Sequence, residues 1–129
     1  MAPSASSPYS SKEGFTATLL HAFNGPESEV KPTFLTLYNE DTVVKMNGAT
    51  YSFDEFLAHV ANVRGLLTNF EIESHAFLRD GNMVAEKHTL KATRKEDGKS
   101  VGAEGYIFGE LNDEGRAVWV DEQARTFEL

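Results

Sequence analysis

His75, Glu86 and His88 are the side chains of this sequence best suited to moving a proton. An imidazole paired with a carboxylate is a competent general base near neutral pH, because the carboxylate fixes the tautomer and stabilises the imidazolium. Burial of Glu86 would raise its own pKa and poise it for proton transfer. The same three groups are a conceivable zinc set, but they fall on neighbouring strands without a tight spacing such as His-x-x-x-His, so acid–base work is the preferred reading. With no Cys among 129 residues, disulfides, thiolate metal sites and cysteine nucleophiles are excluded.

Whether these groups meet depends on the elements that carry them. Asp80-Gly81, Asp97-Gly98 and Glu114-Gly115 fall 17 residues apart. Asp-Gly between β-prone runs is a strong hairpin signal, since Gly takes φ > 0 without steric cost. Equal intervals predict four long strands of about 12 residues each, joined as an antiparallel meander, against a usual strand of about 5–6 residues. Strands this long must twist and bend, which creates a concave face. The period lies in the turns; the residues between them do not repeat.

A two-residue loop at Asp97-Gly98 would set Lys91 opposite Glu104, a favourable cross-strand pair. Glu86, His88, Leu90 and Ala92 then share the other face with Ala103, Gly105, Ile107 and Gly109. That face has the smaller, more apolar residues and is assigned to the cavity. His75 opposes Glu86 for a two- or four-residue loop at Asp80-Gly81, and a slip of one residue puts it outside. The glycines of this strand predict a bend, with room for a ligand near the backbone.

The front half reads as helical. Ser11 caps a first helix through Phe15, Leu19, Leu20 and Phe23, ended at Asn24-Gly25-Pro26. A short second helix starts at Pro32 and carries Phe34, Leu35, Leu37 and Tyr38. A short strand follows from Asp41 to Asn47 and includes Met46. Ser52-Phe53-Asp54-Glu55 is a capping box, and Phe53, Phe56, Leu57, Val60, Val63 and Leu67 form an apolar stripe behind it. This third helix is the natural lid of the concave face, with His59 beside the stripe. The fold class is therefore α+β, three N-terminal helices on a strongly bent antiparallel sheet with one cavity.

The order, and the segments Leu37-Tyr38-Asn39-Glu40-Asp41-Thr42-Val43-Val44, Phe53-Asp54-Glu55-Phe56-Leu57-Ala58-His59-Val60, Asp80-Gly81-Asn82-Met83-Val84-Ala85 and Asp113-Glu114-Gly115-Arg116-Ala117-Val118-Trp119, resemble the nuclear transport factor 2-like cone fold and its SnoaL-like group. The resemblance covers Phe15 to Leu129. It implies a cone cavity, no cofactor and a homodimer through the convex sheet face. It also implies a choice among isomerases, cyclases, dehydratases and non-catalytic binding modules, which fold alone does not make. By resemblance, Tyr38 is a pocket tyrosine and Asp121 an acid/base in the last strand. The catalytic set is then His88, Glu86, His75 and Asp121. Ligand contacts are expected from Tyr38, Met46, Phe56 and His59, and from Leu90, Ile107 and Trp119 on the strands. Tyr106 and Phe108 among charged residues mark the convex face as the partner surface.

The charge of −8 repels phosphate backbones, so nucleic acid is not an expected partner. Apolar runs are too short for a membrane helix. Residues 1–11, rich in Ser, Ala and Pro, read as a disordered tail without a secretory h-region, which fits a cytoplasmic protein. One domain, 12–129, remains. Its expected function is to bind a small apolar molecule in the cone cavity, with cofactor-free acid–base catalysis there. A ligand carrier and a protein-interaction module are the alternatives.

Overall fold

The structure is a computed structural model that describes residues 7–128. Helix α1 (Lys12–Asn24) starts where Ser11 Oγ accepts the Gly14 N–H at 2.9 Å, and it buries Phe15, Leu19 and Ala22. Its end is marked by the Gly25 N–H donating to the His21 carbonyl at 2.8 Å. Helix α2 (Val30–Phe34) is shorter than its apolar residues suggest. It begins before Pro32, which is tolerated in a first turn, and unwinds through two tight turns at Thr36 and Leu37. Tyr38 is therefore not helical; it opens strand β1 (Tyr38–Met46). Asn47 (φ 50°) and Gly48 (φ 87°) turn β1 back into the short strand β2 (Ala49–Tyr51). Positive φ at both central residues is what a two-residue hairpin of this hand requires.

Helix α3 (Phe53–Leu66) has the expected capping box: the Glu55 N–H donates to Ser52 Oγ at 3.2 Å, and the Ser52 N–H to Glu55 Oε1 at 2.9 Å. Strands β3 (Leu67–Asp80), β4 (Met83–Arg94), β5 (Ser100–Leu111) and β6 (Ala117–Glu128) are the long meander. All three predicted turns carry a glycine at positive φ: Gly81, Gly98 and Gly115. The sheet order is β2-β1-β6-β5-β4-β3. The meander is antiparallel, whereas β1 runs parallel to β6, so the six-stranded sheet is mixed and open. Helices α1 and α3 cover its concave side, over β3 and β1 respectively.

Two register details decide what faces inward. The β4–β5 loop has four residues, Lys95 to Gly98, with Arg94 bonded to Lys99, so Lys91 opposes Gly102 rather than Glu104. A shift of two residues preserves parity, and the expected inward face survives. In β3 the register shifts by one between Ser74 and Ala76. This bulge places Ser74 opposite His88 and Phe77 opposite Glu86. It leaves His75 out of the ladder.

The tail expectation fails for Ser7 to Ser11; residues 1–6 lie outside the described residues. Pro8–Ser10 form a 3-10 turn capped by Ser7, whose Oγ donates to the Gly115 carbonyl at 2.6 Å, and Tyr9 is buried. Among the described residues no helix is long and apolar enough to cross a membrane.

Candidate active site

The concave face carries a compact acid–base cluster. Glu86 and His88 alternate on β4 and so point to the same side. His88 Nδ1 lies 2.6 Å from Glu86 Oε1, and Ser74 Oγ donates to Glu86 Oε2 at 2.7 Å. The two side chains are only 1% (Glu86) and 8% (His88) exposed. The opposing residue on β5 is Gly105, and the imidazole occupies the space above it. A Cβ at position 105 would stand 2.6 Å from His88 Nε2. Gly105 thus supplies the room that lets a histidine lie flat on the sheet.

Glu122 completes the cluster from β6, where it pairs with Ile107 of β5 and Met46 of β1. The residue is half-buried. Burial pushes its pKa up to about 7, with the charge of His88 lowering it and that of Glu86 raising it. No hydrogen bond enters that balance. For His88, burial opposes the charge, yet the hydrogen bond to Glu86 and the fields of Glu86 and Glu122 outweigh it and hold the pKa above the usual imidazole value. A carboxyl and an imidazole whose pKa values are both raised therefore act on one another on this face, an arrangement suited to proton-transfer chemistry.

At the wide end lies an open hollow of about 890 Å³ between the end of α3 and the far ends of β4, β5 and β6. Leu66, Leu90, Val101 and Ala103 give it apolar walls. The Leu90–Ala103 pair adjoins His88–Gly105 on the same face, so the cluster sits one step inward of the hollow.

The remaining expected site residues divide by face. Met46 and Ile107 flank Glu122, and Leu90 lines the hollow. Tyr38 and Phe56 are core aromatics, 5.4 Å apart and close to perpendicular. Burial, then the Glu122 charge, pushes the Tyr38 phenol well up, so it stays protonated. His59 lies outside the cluster, half-buried beside Tyr51.

Three residues go to the outer face. His75, extruded by the bulge, is exposed and pairs with Thr89 Oγ1 at 2.7 Å. The zinc set of His75, Glu86 and His88 therefore does not assemble. Trp119 Nε1 donates to Glu110 Oε1 at 2.9 Å, with its ring on Phe108. Asp121 opposes Phe108 and lines a groove of about 430 Å³ on that face. Its neighbour Glu122 takes the inward place expected of Asp121, because the parallel pairing with β1 turns Val120 and Glu122 toward the core. The sequence shows that alternation in Val120-Asp121-Glu122 but not which parity is inside. Ser74 had no signal, being inward only because of the bulge.

No protein-family model matches the sequence, and no curated protein does. Solved structures match over most of their length. An NTF2-like protein of unknown function from Exiguobacterium sp. 255-15 is 14% identical with a TM-score of 0.68, over 84% of this chain and 96% of that one. The fold is the nuclear transport factor 2-like cone. Wild-type IdmH, a proposed polyketide cyclase from Streptomyces antibioticus, shares this cone at 16% identity and a TM-score of 0.68, covering 90% of this chain and 92% of its own. A proposed SnoaL-like isomerase from Agrobacterium tumefaciens does so at 19% identity and 0.62, over 84% and 92%. At these identities the likeness is one of cone architecture.

Proposed function

We propose that the cone binds a small apolar molecule and that His88, held by Glu86, exchanges a proton with it in concert with Glu122, without a cofactor. The reaction class is isomerisation, cyclisation or dehydration. The observation that carries the reading is the buried His88–Glu86 pair beside a carboxyl whose pKa is about 7. A positioned general acid or base contributes about 10²–10⁴-fold to such steps. The hollow supplies apolar walls next to them, and structural neighbours named as isomerases and a cyclase agree with the class.

The test is deuterium incorporation from D₂O into a panel of apolar enolisable ketones. The wild-type protein should accelerate exchange, and His88→Ala and Glu122→Gln should each lower it at least about 100-fold. Wild-type rates in both variants reject the assignment. Ketones that bind and return unexchanged favour the carrier.

The outer face favours a second role, compatible with the first. Val43, Leu78, Tyr106 and Phe108 are exposed together there, and we propose this face as a homodimer surface. Phe108→Asp should convert a dimer to a monomer in sedimentation; a wild-type protein that sediments as a monomer removes the proposal.

A further inference from the structure

Strand β3 changes register opposite the acid–base pair. Ala76 pairs with Lys87 and Phe77 with Glu86, and that register carried forward would set His75 against His88 on the concave face. The shift sets Ser74 there instead and leaves His75 outside. A bulge of this kind re-aims a side chain. Here it replaces a bulky imidazole that can carry charge by a small hydroxyl, which donates to Glu86 Oε2 at 2.7 Å.

The Glu86 carboxylate is thereby held at both oxygens. Oε2 takes the Ser74 proton, and Oε1 lies 2.6 Å from His88 Nδ1. The last torsion of a glutamate side chain is broad and two-fold when nothing restrains it. With a partner on each oxygen the group cannot turn without losing a bond, and a side chain only 1% exposed has little water within reach to replace one. An ionised carboxylate only accepts, so neutral His88 carries its proton on Nδ1 and keeps Nε2 as the basic nitrogen. Among the described residues Nε2 takes no hydrogen bond; it lies above Gly105, where the sheet offers no side chain.

We propose that Ser74 is a positioning residue of the proton-transfer site: its hydroxyl locks the Glu86 carboxylate, and through it the His88 ring, in the orientation that leaves Nε2 for the ligand. The role rests on the proton-transfer reading given above. It makes the base a relay of three side chains, of which only His88 touches the ligand. Ser74 on β3 orients Glu86 on β4, and Glu86 orients His88 on its own strand. Loss of the hydroxyl should therefore slow the chemical step without weakening binding.

The experiment compares wild type, Ser74→Ala and Ser74→Thr in two measurements. The first follows the His88 Nδ1 proton by ¹H–¹⁵N spectroscopy of the full-length protein without ligand. It should give a sharp, solvent-protected resonance in wild type and in Ser74→Thr, which keeps the hydroxyl, and broaden by exchange in Ser74→Ala. The second follows deuterium exchange into 2-tetralone, an apolar enolisable ketone. Ser74→Ala should lower kcat about tenfold with KM unchanged, and Ser74→Thr should recover most of the loss. An unprotected Nδ1 proton in wild type overturns the role of Ser74. So does an unchanged resonance or wild-type turnover in Ser74→Ala, and both leave the proton-transfer reading standing. A Ser74→Thr variant as impaired as Ser74→Ala, or a Ser74→Ala variant that fails to fold, also overturns it, because packing rather than the hydroxyl is then at stake. Wild-type protein that leaves 2-tetralone unexchanged removes the proton-transfer reading, and the role of Ser74 with it.

Discussion

The two faces of the long meander carry similar residue types and put them to different use. Glu104 on the outside of β5 takes bonds from Tyr106 and Arg125 and an ion pair from Lys87. The Tyr106 hydrogen bond, partly opposed by desolvation and helped by Lys87 and Arg125, holds its carboxyl below the usual range. Glu122 on the inside of β6 has its pKa raised to about 7. His75 outside meets a threonine in solvent; His88 inside meets a carboxylate out of solvent. Residue type is nearly constant across these pairs. What differs is the dielectric around them and the number of counter-charges within reach. A proton-transfer site here is made by burial, and pairs like Lys87–Glu104 contribute little because water screens them.

The largest expected consequence of that contrast is in pH dependence. Glu122 shifts from an ordinary value of 4.5 to about 7 on folding, so the folded chain holds the extra proton between those values. Stability must then fall as pH rises from about 4.5 to 7, by on the order of 3 kcal/mol, and level off above. His88 acts in the same sense. Its raised pKa gives stability that is full below the unfolded value of 6.5 and lost as pH rises through the folded one. Urea titrations from pH 4.5 to 8 should show this slope in the wild type and a flatter profile in Glu122→Gln, with the variant the more stable above pH 7. An unchanged slope in the variant would mean that Glu122 is solvated like Glu104.

A smaller change tests the packing behind the site. Gly105→Ala should displace the His88 ring, because the added Cβ stands 2.6 Å from Nε2 and has a strand backbone behind it. Overpacking of this kind costs about 1–3 kcal/mol. The ¹⁵N shifts of the His88 ring report its displacement directly, and an unmoved ring would show that the histidine has other space available.

The smallest effect is expected from the outer histidine. His75→Ala removes one exposed contact, so unfolding free energy should change by no more than about 0.5 kcal/mol. Loss of more than 2 kcal/mol would show that the bulge depends on His75.

Much of the architecture was legible because it is written in local chemistry. Ser11 and Ser52 announce their helices through caps that the next three residues complete. Gly81, Gly98 and Gly115 mark the turns because few other residues take their φ. Glu86 and His88 share a face in any register, since period two ties i to i+2. The apolar side chains near them identified the inner face even though the loop at Asp97-Gly98 is two residues longer than assumed.

Tertiary structure alone decided the rest. A single extruded residue at His75 reverses the parity of half of β3, and nothing in Ser74-His75-Ala76 announces it. Glu122 rather than Asp121 faces the core because β6 is held on one side by β5 and on the other by β1, from the far end of the chain. Tyr9 is buried because Gly115 and Arg79, more than 60 positions away in the chain, receive its segment. Caps and turns are settled among neighbours in sequence, but the side a residue faces and the dielectric it feels are set by partners that only the folded chain brings near.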